Sequence, residues 1–340
     1  MNPVTYLRAA DADQALHHAG DGARIIAGGT NLLDLMKEDV MRPAALVDIN
    51  GLALDGVEQT GNGGLLLGAT GRNADTAYHP LVREQYPLLT AAILAGASPQ
   101  IRNMASNGGN LLQRTRCHYF YDVATPCNKR QPGSGCAAIG GLTRQHAILG
   151  ASGHCIAVHP SDMCVALAAL EAVVHVRSAR GPRQIAFADF HRLPEDQPHI
   201  DTTLAEDELI THIELPPAAQ FAGHSSYLKL RDRASYAFAL VSVGAMLDLD
   251  HNGKVRAARI ALGGVAHKPW RVPAAEQLLV GHAPTADSFA HVASTLLFGA
   301  LGQGQNDFKI ALARRAVVRA LELAAAGTYD NTGSERDGSD

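Results

Sequence analysis

Residues 25–36, Ile-Ile-Ala-Gly-Gly-Thr-Asn-Leu-Leu-Asp-Leu-Met, leave the chain few ways to fold locally. The short apolar run reads as a buried strand, the Gly28-Gly29 pair as a turn, and Leu32, Leu35 and Met36 recur at helical spacing. Strand, glycine turn and helix together suit an anion. Glycine permits positive φ and a close backbone approach, and the free N–H groups of a helix start carry partial positive charge towards a ligand. Thr30 and Asn31 place a hydroxyl and an amide where they can bond a phosphate or the helix end. An ordinary capped connection could have the same sequence, so the segment alone leaves both readings open.

The surroundings repeat this pattern. Residues 6–20 read as a strand and then a helix, and 45–49 as a third strand, which predicts a small parallel sheet. Gly61-Asn62-Gly63-Gly64 precedes a strand at 65–69, so it reads as a hairpin turn and not as a dinucleotide fingerprint. Helical spacing runs through 81–96, and Ser106-Asn107-Gly108-Gly109-Asn110 forms a second Gly-Gly-Asn turn. Two such turns can approach a diphosphate from opposite sides, each contact contributing about 0.3–1 kcal/mol at exposed sites. Ser161 or Asp162 can cap a helix at 164–172, a hairpin follows over 173–187, and a strand at 208–215 ends in Pro216-Pro217, the expected domain boundary. The last third, with β segments at 224–231, 236–250 and 256–263 and helices at 273–280, 286–301 and 308–326, predicts an α+β domain. Residues 327–340 are polar and expected to be disordered.

All five cysteines fall between Cys117 and Cys164. A chain of 340 residues has ample core and does not need staples crowded into one segment, so a local metal or redox site explains them better. Prolines and glycines break residues 113–159 into a long loop, the kind that tends to be functional. The spacings are Cys117-x9-Cys127-x8-Cys136-x18-Cys155-x8-Cys164, without the C-x-x-C pairs of zinc ribbons or small ferredoxins. A wrapping loop can still carry four thiolates to a cubane cluster, with Tyr119, Phe120 and Tyr121 shielding it. Cys164, inside an apolar helix, reads as a small hydrophobe, which leaves Cys117, Cys127, Cys136 and Cys155 as ligands. Iron–sulfur, structural zinc and unliganded thiols all remain open at this point.

The net charge of −4, with no basic stripe, argues against nucleic acid as a partner. No apolar run is long enough for a membrane span, and Arg8, Asp11 and Asp13 interrupt the start of the chain where a signal peptide needs apolar residues, so no export signal of its own is expected.

Four motifs in order, Ala27-Gly28-Gly29-Thr30-Asn31-Leu32, Ser106-Asn107-Gly108-Gly109-Asn110, His159-Pro160-Ser161-Asp162 and Lys229-Leu230-Arg231-Asp232-Arg233, resemble the FAD-binding medium subunit of the xanthine dehydrogenase family of molybdenum hydroxylases. The resemblance covers residues 1–326. Arg116 to Asp122, Pro126 to Arg130 and Pro132 to Cys136 are similar to the [4Fe–4S]-bearing insertion of the periplasmic aldehyde oxidoreductase branch. A related insertion in 4-hydroxybenzoyl-CoA reductases supplies an alternative substrate class.

The resemblance implies an α+β fold: a two-subdomain FAD-binding domain of the vanillyl-alcohol-oxidase type over 1–220 and a C-terminal α+β domain over 221–326. The subdomains divide at about residues 55 and 56, with the iron–sulfur insertion at 113–159. It also implies that Ile26, Ala27, Gly28, Gly29, Thr30, Asn31, Leu32, Leu33 and Asp34, with Ser106, Gly108, Gly109 and Asn110, hold the FAD diphosphate and ribityl chain. Asp162 matches an aspartate near the nucleotide portion, Ile210 a backbone contact, and Lys229 a lysine beside the flavin ring, where positive charge suits a ring that becomes anionic on reduction. A solvated strand lysine is the alternative reading of Lys229. Implied partners are a large molybdenum-cofactor subunit and a small subunit with two [2Fe–2S] clusters, in a heterotrimer that oxidises an aldehyde and passes electrons through FAD to an external acceptor. Export on a partner's signal would place the complex in the periplasm, with the cytoplasm as the alternative. A stand-alone flavin oxidase and a zinc-stabilised scaffold are the competing expectations.

Overall fold

The computed structural model describes residues 2–328. Three sheets organise it. The first consists of β1 (Thr5–Arg8), β2 (Arg24–Ile26) and β3 (Ala45–Asp48), parallel throughout in the order β1-β3-β2, as the strand–helix alternation predicts. Helix α1 (Ala12–Gly20) is capped by Asp11, whose carboxylate accepts from Gln14 N, and buries Ala15, Leu16 and Ala19. Helix α2 (Leu32–Lys37) leaves the glycine turn and buries Leu35 and Met36.

The second sheet is antiparallel, with β4 (Val57–Gln59), β5 (Leu65–Gly68), β6 (Val173–Ser178), β7 (Gly181–Ala186) and β8 (Leu209–Leu215) in the order β4-β5-β8-β6-β7. The glycine-rich stretch at 61–64 is the hairpin turn between β4 and β5. Helices α3 (Asn73–Tyr78), α4 (Pro80–Gln85), α5 (Pro87–Ala95), α6 (Pro99–Arg102) and α7 (Asn107–Leu111) follow β5. The helix expected over 81–96 is two helices, because Pro87 has no N–H to continue α4 and excludes the helical conformation at Tyr86, whose φ is −132° and ψ 52°. The expected turn at 106–110 is instead the start of α7, with Ser106 as its cap accepting from Gly109 N at 3.2 Å. Helix α3 escapes sequence reading because its buried face includes the polar Asn73 and Thr76. Its hydrogen bonds are made to Asn107, which lies far along the chain.

Residues 113–159 are irregular apart from α8 (His118–Tyr121). Helices α9 (Asp162–Ala169) and α10 (Phe187–Phe190) complete this part, and α9 packs on α5 in one core with β5, β6 and β8. The third sheet, β9 (Ser225–Leu230), β10 (Val241–Leu249), β11 (Val255–Gly263) and β12 (Trp270–Arg271), is antiparallel in the order β12-β11-β10-β9. It is covered by α11 (Pro273–Gln277), α12 (Ala286–Leu296) and α13 (Phe308–Ala326). Strand β10 starts five residues later than expected, and α12 ends before Phe298 and Gly299, the latter at φ +75°. Of the tail expected to be disordered, residues 329–340 lie outside the described residues.

The cysteine loop does not stay with the first two sheets. Ile148 and Leu149 N–H groups both donate to Val265 O, His159 N donates to Ala266 O, and Leu301 N donates to Ile148 O. The loop thereby joins the core of the C-terminal part, where Ile148 and Leu149 are buried. No helix among the described residues is long and apolar enough to cross a membrane.

Candidate cofactor cleft and cysteine site

The two glycine segments, far apart in sequence, meet. A β-carbon on Gly28 would lie 1.9 Å from Met104 O and 3.2 Å from Ala105 Cα, so only glycine allows the backbones this contact. Gly29 adopts φ +70°, the left-handed conformation the turn requires. Asn31 does not cap α2: its Oδ1 accepts from Arg114 N at 2.9 Å, while its Nδ2 is buried with no partner. On the other side, Asn107 is held through Gly68 O, Thr76 and Asn73, and Asn110 bonds Asn73 Oδ1 and the Ser161 hydroxyl.

Two clefts, of about 660 and 770 Å³, meet at this contact, and Gly28, Gly29, Thr30, Gly109 and Gln113 line both. These are sizes typical of cofactor sites. The first runs past Ile26, Ala27 and Leu32 towards Leu204 and Glu208, and the second past Leu33, Asp34 and Asn110 towards Asp162 and Lys229. Backbone N–H groups at the waist and an unpartnered amide suit a ligand with two bulky ends joined by a narrow anionic middle. Ser106 lines the first cleft, Gly108 packs on Ala69 behind the waist, and Ile210 is buried within β8 and lines neither cleft.

At the far end of the second cleft Lys229 is not a solvated lysine. Its Nζ donates to Asp162 Oδ2 at 2.8 Å and to Ala95 O at 3.0 Å, and Tyr227 Oη donates to Asp162 Oδ1 at 2.7 Å. Both ion-pair side chains are almost fully buried. Burial, then the Asp162 charge, pushes the Tyr227 hydroxyl well above its ordinary range, so it stays a donor. The resemblance assigns Asp162 and Lys229 to different ends of the cofactor; their ion pair brings them to one end of one cleft.

Four of the five cysteines gather. Cys127 and Cys136 face each other across an antiparallel bridge, reinforced by Asn128, whose Oδ1 accepts from Gly135 N at 2.8 Å. Burial pushes the Cys117 thiol up to about 12, with Cys127 and Cys155 close enough to add charge repulsion; Cys155 rises to about 11 by burial, with Cys136 and Cys127 adding to it. Cys117 also lies 3.1 Å from His146 Nε2. Phe120, fully buried, packs on Cys127 and on Leu35 of α2. Cys164 stands apart from these four, on α9 in the second-sheet core.

The loop is tied to the cleft. Arg116 Nη1 and Tyr121 Oη both donate to Asp34 Oδ2, at 2.9 and 3.0 Å. Asp201 receives the buried Lys129 Nζ, and Arg114 Nε at 2.8 Å. Burial alone would raise the Asp201 carboxyl, but the two cations hold it well below the usual carboxylate range. A cavity of about 260 Å³ separates Cys117, His118 and His146 from Asp162 and Phe238. Sequence reasoning missed Arg114, Lys129, His146 and Asp201 as site residues. Their partners lie 29 to 87 residues away, and no local pattern announces such pairs.

Residues 2–218 match the family described as the FAD binding domain in molybdopterin dehydrogenase, and residues 226–324 the CO dehydrogenase flavoprotein C-terminal domain. The aldehyde oxidoreductase FAD-binding subunit PaoB of Escherichia coli is 52% identical over 306 residues, 90% of this chain and 92% of that protein. The glyceraldehyde dehydrogenase medium chain of Sulfolobus acidocaldarius is 27% identical over 85% of each chain. Among solved structures, carbon monoxide dehydrogenase from Hydrogenophaga pseudoflava superposes with a TM-score of 0.74 at 26% identity, over 96% of this chain and 99% of that one.

Proposed function

Since the chain belongs to the FAD-binding subunits of the molybdenum hydroxylases, an oxidoreductase family, we propose that it is the electron-transfer subunit of an aldehyde-oxidising complex. The observation that carries this is the contact of Gly28 with Met104–Ala105 at the waist of two clefts, a seat for the diphosphate of FAD. Gly28 to Asn31 and Ser106 to Asn110 would hold that diphosphate, and Asp162, Lys229 and Tyr227 would border one planar end. Bound FAD supplies the ability to exchange electrons singly and in pairs. The chain's own residues bind and orient: the waist fixes the cofactor's middle, and the buried Lys229–Asp162 pair keeps a positive group beside the cleft without leaving it unpaired.

Cys117, Cys127, Cys136 and Cys155 would hold a [4Fe–4S] cluster. Supporting this, burial and mutual repulsion make thiolates costly in this pocket, and a cationic metal core is what stabilises several of them together. Partners would be a large molybdenum-cofactor subunit that carries out the aldehyde chemistry and a small subunit with two [2Fe–2S] clusters that feeds electrons to this chain, which passes them to an external acceptor. The complex is proposed to act in the periplasm, exported on a partner's signal.

Visible absorption and turnover test the reading together. The purified chain should show a flavin spectrum with a broad iron–sulfur shoulder, and no aldehyde oxidation until the partner subunits are added. Aldehyde turnover by the isolated chain would overturn the proposal, and a flavin spectrum without iron would remove its cluster.

A further inference from the structure

Away from the four-cysteine site, three potential metal ligands face one another in the interior. One ligand atom from each of His159, Cys164 and His191 lies within 4.8 Å of the other two. They come from three places: His159 from the exit of the cysteine loop, Cys164 from the first turn of α9, and His191 from the residue after α10. All three are buried, and the two imidazole rings lie 4.3 Å apart.

Their hydrogen bonding is incomplete in a particular way. His191 Nε2 is 2.8 Å from Leu111 O, which fixes the proton on Nε2 and leaves a lone pair on Nδ1; that Nδ1 is buried without a partner. A backbone carbonyl holding one ring nitrogen while the other stays free is how metal-binding histidines are oriented. His159 Nε2 is likewise buried and unpartnered, and its Nδ1 has only a long contact, 3.4 Å, from Ser161 N. His267 likewise has both ring nitrogens buried with no partner among the described residues. Buried ring nitrogens with free lone pairs are the atoms a metal ion can take as ligands.

We propose that His159, Cys164 and His191 bind one zinc ion. Two imidazoles and a thiolate are a donor set that suits zinc, and tetrahedral zinc places ligand atoms about 3.3–3.8 Å apart, inside the 4.8 Å within which these three lie. On binding, the Cys164 thiol gives up its proton to solvent and forms the Zn–S bond, and nothing is oxidised or reduced. The ion would staple the end of the cysteine loop to α9 and to the wall of the first cleft, which His191 lines.

The test is zinc analysis of the full chain in its native complex, with iron and FAD measured on the same samples. Wild type should carry about one zinc per chain; Cys164→Ser should lose it while keeping full iron and FAD, and His191→Gln should lose the zinc as well. Zinc K-edge absorption of the wild type, which does not depend on variants folding, should give one sulfur at roughly 2.3 Å and two or three nitrogens at roughly 2.0–2.1 Å. Absence of zinc with no uptake from ZnCl2, a first shell of sulfur alone, or zinc retained in both variants would overturn the site.

Discussion

Gly28 and Met104 touch backbone to backbone: a β-carbon at residue 28 would sit 1.9 Å from the Met104 carbonyl oxygen, closer than any packing adjustment could accommodate. The contact closes the waist of the cleft, so Gly28→Val should drive FAD content from full occupancy to near zero. Gly20→Ala, which faces open space at the end of α1, should keep it. The ratio of flavin to protein absorbance in the purified chains decides this; full flavin in the valine variant would show that the waist does not seat the cofactor.

The Lys229–Asp162 pair predicts a large asymmetry. Removing Lys229 alone leaves a buried carboxylate facing Tyr227, and Lys229→Ala should lose about 3–5 kcal/mol. Lys229→Met combined with Asp162→Asn removes both charges and should recover most of that loss. Thermal melts of the two variants measure the difference, and equal melting temperatures would mean the pair is not energetically coupled.

Individual Cys→Ser changes sort the thiols. Serine at 117, 127, 136 or 155 should each lower iron content sharply, whereas Cys164→Ser should not change it. Iron analysis reads the result directly, and iron loss at 164 with retention at one of the other four would reassign the ligands.

Lys309 offers a pH signature. Its Nζ, fully buried, donates to His146 O at 2.8 Å and Gly264 O at 2.6 Å, with no carboxylate partner among the described residues, and burial pulls its pKa down to about 7. An unfolded lysine titrates near 10.4, so between about pH 7 and 10 the unfolded chain holds a proton that the folded chain has released. Stability from this residue therefore rises with pH across that window, by up to about 1.4 kcal/mol per unit, and is flat at its least favourable value below it. Melting temperatures of wild type and Lys309→Met from pH 6.5 to 9.5 should diverge in the wild type's favour as pH rises. A constant difference would mean the lysine stays charged.

Most of the scaffold was legible in the sequence because it depends on short-range rules. Periodicity located β1 to β3, β5, α9 and α13, the glycines at 61–64 marked a hairpin turn, and two further glycine pairs marked the waist. Pro87 was visible in the sequence, yet the apolar spacing around it obscured the break. The site's supports were illegible for a different reason. Arg114 with Asp201, His146 with Cys117, and Asn107 with Thr76 are joined only when three sheets close on one another, and their sequence neighbours carry no trace of the partner. The burial of Lys229 was hidden in the same way: a lysine on a strand looks solvated until Asp162 on α9 is placed beside it.

Ile148 and Leu149 hang from Val265 O, Asn306 Nδ2 donates to His146 O and Ala147 O, and Thr143 Oγ1 donates to Gln303 O. The cysteine loop is therefore not a cassette. Transplanted as residues 113–159 into a protein of the same fold that lacks it, the loop would arrive with its thiols but without the floor beneath them. A working graft would have to carry the Val265–Ala266 edge, the 303–306 turn and Lys309 with it. Gaining or losing such a loop thus means rewriting two distant stretches of one chain together.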